Sequence, residues 1–166
     1  MTVMALSRTP ETTAGPAGRS TRGLVVVAGY DGSAPAGHAL DHAADLLQGR
    51  DGSIEVVFVS HMPASAALWG PAFAEITQAL DSQAEALAGE VRARLAGEDH
   101  PWHFQHRAGA VATELLAVAA EVNRQYGDSA DVIIAVGGPS HRYHHLVGSV
   151  GVSLVHTNRF PVVVVP

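Results

Sequence analysis

The chain has 166 residues, of which 47% are apolar and 16% charged, with a net charge of −6 and no cysteine. This length and composition suit one domain with a sizeable core, and the acidic balance argues against nucleic acid as a partner. The absence of cysteine excludes disulfides and thiolate chemistry, and the absence of an apolar run of about 18 residues argues against a membrane span.

The N-terminal segment, residues 1–22, is rich in Thr, Pro and Gly and has no apolar face to bury. Such a segment cannot offset the entropy lost on ordering, so we expect a disordered tail ahead of one domain over residues 23–166. The segment also lacks the long apolar centre of a signal peptide, which predicts a cytoplasmic location.

The rest of the chain alternates short apolar runs with helical patterns. Strands are predicted at Leu24–Gly29, Ile54–Ser60, 100–109, Asp131–Val136 and Val162–Val165. Helices are predicted through Ala36–Leu47 with Ser33 as its cap, Phe73–Ala96, Ala112–Gln125 and Ser149–Thr157. Strands separated by helices predict an α/β fold, a Rossmann-like open parallel five-stranded sheet with helices on both faces.

Two glycine-containing segments follow strands of this predicted sheet. Asp31–Ser33 (DGS) comes directly after the first strand, and residues 136–151 (VGGPSHRYHHLVGSVG) lead from the fourth strand into a helix. A strand, a glycine-rich loop and a helix can cradle a phosphate. If the first and fourth strands are neighbours, both segments face one crevice at the carboxyl edge of the sheet.

Five segments together resemble a universal stress protein domain from about Gly23 to Pro166. These segments are VVVAGYDGSAPAGHAL, IEVVFVSHMP, RAGAVATELLAVAAEV, ADVIIAVGG and LVGSVGVSLVHTNRFPVVVVP, in this order. The resemblance implies a sheet of order 3-2-1-4-5 and a dimer. One branch of that family binds ATP, which here would come with Mg²⁺, and another branch does not.

The resemblance also implies which residues would hold a nucleotide. Asp31 matches an Asp that ends strand 1, and His61 lies near the strand 2 site for ribose and adenine. The phosphate loop would contain Gly137, Gly138, Ser140, Gly148, Ser149 and Val150.

The loop departs from the pattern of the ATP-binding branch, which is Gly, two residues, Gly, nine residues, Gly-Ser/Thr. Counting from Gly137 places Ser140 at the second glycine and leaves seven residues before Gly148, two fewer than the pattern. Taking Gly138 as the second glycine restores the nine-residue gap but places Ala135, inside the strand, at the first glycine. Pro139 lacks an N–H, and Ser140 has a Cβ where glycine lets backbone pass close, although the loop also contains basic residues that could compensate with charge: His141, Arg142, His144 and His145. The loop therefore either binds phosphate or only connects a strand to a helix that Ser149 caps, and Asp31 is open to the same two interpretations.

Two functions remain open from the sequence. The first is a stress-response regulatory module that binds an adenine nucleotide at the strand 1/strand 4 crevice; the alternative is a non-nucleotide-binding dimeric interaction protein of the same fold. No catalytic constellation is visible, so an enzyme is not expected beyond slow nucleotide hydrolysis with no identified base. His38 and His42 share a helix face without a third ligand, which favours a surface role over a metal site.

The last predicted strand, Val162, Val163, Val164 and Val165, lies at a sheet edge in the order 3-2-1-4-5. It contains no charge and no internal proline that would prevent pairing with another strand. We therefore expect a two-fold homodimer through this strand, unless a helix or the N-terminal tail covers the edge.

Overall fold

The computed structural model describes residues 22–61, 70–139 and 149–166. Its strands are β1 (Gly23–Gly29), β2 (Gly52–Ser60), β3 (Trp102–Ala108), β4 (Ala130–Gly137) and β5 (Val162–Val165). Its helices are α1 (Ala34–Leu47), α2 (Pro71–Arg94), α3 (Val111–Tyr126) and α4 (Ser149–Thr157), with a 3₁₀ turn at Gly127–Ser129. The predicted disordered tail falls, except for Arg22, outside the described residues.

The strands form one five-stranded sheet of order β3-β2-β1-β4-β5. Every neighbouring pair is parallel, with Leu24 opposite Gly52 on one side of β1 and opposite Asp131 on the other. The predicted fold class and strand order are therefore confirmed. β2 begins two residues earlier than its apolar run, because backbone pairing continues to Gly52. β3 begins at Trp102 because Pro101, which precedes it, has no N–H to donate.

The central strands are apolar on both faces because helices cover both sides of the sheet. On one side, Val26 and Ala28 of β1 share a core with residues of α1 and α2 such as Leu40 and Val91. On the other side, Val25 and Val27 share a second core with residues of α3 and α4. The two cores reach the carboxyl ends of β1 and β4, where a crevice was predicted, through residues such as Ala28 and Val136.

β3 is the polar edge of the sheet. Trp102 and Phe104 pack against the core on the α1/α2 side, and the ring of His106 stacks on Phe58 with centroids 5.1 Å apart. These three β3 side chains therefore share one face, as their alternation predicts. On the opposite face His103 lies 3.1 Å from a carboxylate oxygen of Glu55.

The start of α1 follows its sequence closely. The Ser33 hydroxyl accepts a hydrogen bond of 3.3 Å from the Ala36 amide, so the predicted helix cap is confirmed. Further along, Asp41 accepts two hydrogen bonds of 2.6 and 2.8 Å from the guanidinium of Arg94 on α2. This bidentate pair joins the two helices that cover one face of the sheet.

α2 is 24 residues long and only its C-terminal part is packed. Its buried residues begin at Ala84 and continue through Leu87, Val91 and the cap residue Leu95. Residues 72–83 are exposed or half-buried, and Phe73 is among the exposed apolar side chains. None of the helices in the described parts of the chain is long and apolar enough to cross a membrane.

Candidate functional site

A cavity of about 380 Å³ lies at the carboxyl edge of the sheet, where β1 and β4 end. Its position follows from the strand order, because β1 and β4 are the neighbours whose connections leave the sheet in opposite directions. The described lining residues are Gly29, Tyr30, Asp31, Ser33, Ala36, Val57, Val59, Val111, Leu115, Val136, Gly137, Gly138, Pro139, Ser149, Val150 and Gly151. Five of the predicted site residues are among them: Asp31, Gly137, Gly138, Ser149 and Val150.

The Asp31–Ser33 turn brings a carboxylate to the mouth of this cavity. Asp31 is exposed, and one of its carboxylate oxygens accepts a hydrogen bond of 3.0 Å from the Ser33 amide. Gly32 has a φ of 81°, and a Cβ there would lie 2.8 Å from a methyl group of Leu87. The positive φ favours glycine at this position, and its small size lets the side chain of Leu87 on α2 approach the turn.

Tyr30 lies beneath the turn and is buried. Its hydroxyl donates a hydrogen bond of 3.0 Å to a carboxylate oxygen of Glu90 on α2. Burial, and then the neighbouring Glu90 carboxylate, raise the pKa of Tyr30 above its ordinary value. The phenol therefore stays neutral at physiological pH and offers the cavity an uncharged wall.

One side of the cavity is an apolar slot. Val57 and Val59 of β2 form it together with Val111 and Leu115 from the first turns of α3. The predicted nucleotide residue His61 is exposed and is not among the described residues that line the cavity. β2 thus contributes two valines to the cavity, while the histidine that follows the strand lies outside it.

Close packing against the start of α1 determines which residue can end β4. A Cβ on Gly137 would lie 2.5 Å from the carbonyl carbon of Pro35 and 2.6 Å from the Ala36 amide nitrogen. Glycine is therefore required here so that the start of α1 can approach the strand. The next amide, that of Gly138, donates a hydrogen bond of 2.6 Å to the carbonyl oxygen of Val165 in β5.

The amino ends of three helices lie around the cavity. Ser33 caps α1, Val111 begins α3, and Ser149 begins α4, and all three residues line the cavity. Free N–H groups at helix amino ends favour an anion. The predicted loop residues Ser140 and Gly148 lie outside the described residues.

The histidines do not form a metal centre within the described ranges. No group of three or more His, Asp or Glu side chains is placed there to hold a metal ion. Nδ1 of His38 instead lies 3.1 Å from the carbonyl oxygen of Pro166, and both His38 and His42 are exposed. The surface interpretation of this pair therefore agrees with the fold.

A Ser–His–Asp arrangement that the sequence did not reveal occurs beside β3. Nε2 of His106 lies 2.8 Å from the hydroxyl of Ser60, and its Nδ1 lies 3.8 Å from a carboxylate oxygen of Asp81. Ser60 is only 4% exposed and is not among the residues that line the cavity. A substrate carbonyl cannot reach a hydroxyl buried in this way, so the arrangement is a structural contact between β2, β3 and α2.

The valines of β2 and the residues of α3 that line the cavity were not predicted from the sequence. Val57 and Val59 had a usable signal, since they alternate along β2 and end at the same edge as Asp31. Val111 and Leu115 had none, because their place depends on how α3 crosses the sheet after β3.

A family model described as the universal stress protein family matches residues 25–166. A search of curated proteins finds no matching relative. Among solved structures, a universal stress protein family member from Burkholderia pseudomallei has a TM-score of 0.65 at 20% identity, covering 90% of this chain and 99% of the other.

Two further solved structures are described with a bound nucleotide. A universal stress protein in complex with cAMP has a TM-score of 0.56 at 22% identity, covering 86% of this chain and 96% of the other. One from Archaeoglobus fulgidus in complex with dAMP has a TM-score of 0.56 at 17% identity, covering 88% of this chain and 99% of the other. At these identities the likeness establishes the fold.

Proposed function

Because the chain belongs to the universal stress protein family, we propose that it is a stress-response regulatory module that binds an adenine nucleotide in the cavity between β1 and β4. The observation that carries this proposal is the cavity itself, where an apolar slot, a fixed carboxylate and the start of a helix meet. The complexes of two structural relatives with cAMP and dAMP support the same ligand class.

The chemistry of the cavity suits the parts of a nucleotide. The accessible part of the apolar slot, at Val59 and Val111, can contact the flat face of a base, and Asp31 can accept hydrogen bonds from ribose hydroxyls. The start of α4 at Ser149 can donate to a phosphate. The family resemblance implies ATP with Mg²⁺, which is a narrower proposal within the same ligand class.

The proposal is tested by analysing and titrating the purified full chain. We expect mass spectrometry of the denatured protein to detect an adenine nucleotide, or calorimetry of the ligand-free protein to show saturable binding of one. Asp31→Ala should weaken that binding at least tenfold, whereas Asp45→Ala, on the exposed face of α1, should not change it. No binding of any adenine nucleotide by the wild type would overturn the proposal.

A second role, as a dimeric interaction protein, is favoured by the state of β5. All four of its valines, Val162–Val165, are half-buried, and β5 pairs only with β4 in the described sheet. Because an apolar edge strand invites another strand, we propose a homodimer in which β5 lies beside its copy. This role does not require a ligand, and no catalytic step is part of either proposal.

A further inference from the structure

The C-terminal part of α2 lies against the Asp31–Ser33 turn. Leu87 packs beside Gly32 within the turn, and Val91, four residues further along the helix, is fully buried in the core next to α1. Glu90 lies three residues after Leu87 and therefore shares this side of the helix. This side of α2 is in position to hold the segment that carries the carboxylate of the site.

Glu90 makes a polar contact between α2 and this segment. One of its carboxylate oxygens accepts the 3.0 Å hydrogen bond from the Tyr30 hydroxyl, and the same oxygen would lie 3.7 Å from a Cβ on Gly32. The backbone amide of Tyr30 donates a second hydrogen bond, of 2.9 Å, to the carbonyl oxygen of Val57 in β2. Tyr30 is thus held at its backbone by β2 and at its hydroxyl by α2, directly before Asp31 in the chain.

The hydrogen bond to Glu90 affects the fold because Tyr30 is only 5% exposed. A buried hydroxyl that loses its acceptor destabilises the surrounding structure, and a carboxylate is a stronger acceptor than a neutral group. Glu90 itself is exposed and is not among the described residues that line the cavity, whereas Tyr30 and Asp31 are. We infer that Glu90 is a positioning residue, which acts through Tyr30 to orient the Asp31 carboxylate toward a bound nucleotide. This inference rests on the proposed function, and it adds to the same site a residue that does not contact the ligand.

The experiment titrates the full chain with AMP and with ATP by calorimetry. Glu90→Ala removes the acceptor, and we expect it to weaken binding of the tighter of the two nucleotides by about fivefold. Glu90→Gln keeps an oxygen that can accept from the phenol, so its affinity should stay within about twofold of that of the wild type. Tyr30→Phe removes only the hydroxyl and should weaken binding as much as Glu90→Ala does. The double variant should bind no more weakly than either single variant, because the two side chains act as a unit.

Asp41→Asn is the matched control, because it breaks the ion pair with Arg94, another contact between α1 and α2, and keeps both Tyr30 and Glu90. It should leave the affinity unchanged although it lowers the melting temperature. Wild-type affinity in Glu90→Ala would overturn the inference and leave the proposed function intact. Equal weakening by Glu90→Ala, Glu90→Gln and Asp41→Asn would also overturn it, because affinity would then follow the stability of the α1–α2 packing. If the wild type bound neither nucleotide, the proposed function would fail and the inference would fail with it.

A titration of the tyrosines, followed by ultraviolet absorbance, tests the contact without a ligand. Burial, and then the hydrogen bond and charge of Glu90, raise the pKa of Tyr30. Glu90→Gln removes the charge, so the pKa of Tyr30 should be lower in this variant than in the wild type. The Tyr30→Phe protein identifies the part of the absorbance change that belongs to Tyr30. An identical titration of Tyr30 in the wild type and in Glu90→Gln would show that the contact does not form in solution, and would overturn the inference.

Discussion

At the scale of single residues, Gly137 shows how a glycine in a phosphate-loop pattern can be required by packing. Its missing side chain leaves the space into which Pro35 and Ala36 of α1 fit. We expect Gly137→Ala to cost about 1–3 kcal/mol by overpacking, and so to lower the melting temperature by about 5 °C, with or without ligand.

Gly89→Ala in α2 is the matched control, because nothing lies within 4 Å of its added methyl group. It should raise the melting temperature slightly, by about 1–3 °C, since alanine is the better helix former. Thermal unfolding followed by circular dichroism checks both variants. If Gly137→Ala were as stable as the wild type, the start of α1 could shift to accommodate the added methyl group at little energetic cost.

The Asp41–Arg94 ion pair should make the folding stability of the protein depend on pH. The hydrogen bonds from Arg94 lower the pKa of Asp41, so the pair contributes stability above the unfolded pKa of about 3.9 and loses it as the pH falls through the lowered value. Because both side chains are partly exposed, Asp41→Asn should lower the free energy of unfolding by only about 0.5 kcal/mol at neutral pH.

The difference in melting temperature between wild type and Asp41→Asn should therefore shrink as the pH is lowered from about 5 toward 2. Asp45→Asn, which removes a carboxylate from the same helix without an arginine partner, serves as the control. A difference that stays constant across this range would show that the ion pair is not its cause.

At the scale of elements, α2 divides into a packed part and an exposed part. Buried side chains begin at Ala84, so the helix over residues 72–83 rests on few tertiary contacts. Helices in proteins gain most of their stability from such contacts. We expect amide hydrogens of residues 75–83 to exchange at least tenfold faster than those of residues 87–94, as measured by hydrogen exchange and mass spectrometry. Equal protection along the helix would mean that its first half is covered in solution.

Most elements could be predicted from the sequence because four of the strands contain short β-branched runs, β3 shows alternating aromatic and polar residues, and each helix has an apolar face. The start of α2 could not, since Pro71 was taken as part of a loop although proline is well suited to the first helical turn. In the site, Asp31 and Gly137 were predictable from strand ends alone. The bond from Gly138 to Val165 was not, because it joins the loop to a strand that comes later in the chain.

At the scale of the whole molecule, the homodimer is the prediction with the largest consequence. The carbonyls of Pro161 and Val165 accept hydrogen bonds from the amides of Ile134 and Gly138, so by alternation the N–H groups of Val162 and Val164 point away from β4. Val164→Pro would remove one outward N–H and should weaken the dimer at least tenfold.

Val164→Ala is the control for the lost side chain. It keeps the backbone N–H but removes the methyl groups that pack against the core. Light scattering at micromolar concentration measures the mass of all three proteins, and circular dichroism checks that their helices persist. A monomeric wild type under these conditions would rule out the dimer.

The Asp31–Ser33 turn and Gly137 both line the cavity and contribute to the fold, and this affects how the sequences of such proteins diverge. Gly32 is required by its backbone angle and Gly137 by the approach of α1, whether or not a nucleotide is present, and Ser33 caps α1 in either state. A family member that no longer binds a ligand should therefore still retain Gly32, Ser33 and Gly137, because folding depends on them. Divergence in ligand preference would be recorded first at cavity positions with little structural duty, such as Val111, which is 36% exposed. Among paralogues, the wall of the slot should evolve faster than the glycines beside it.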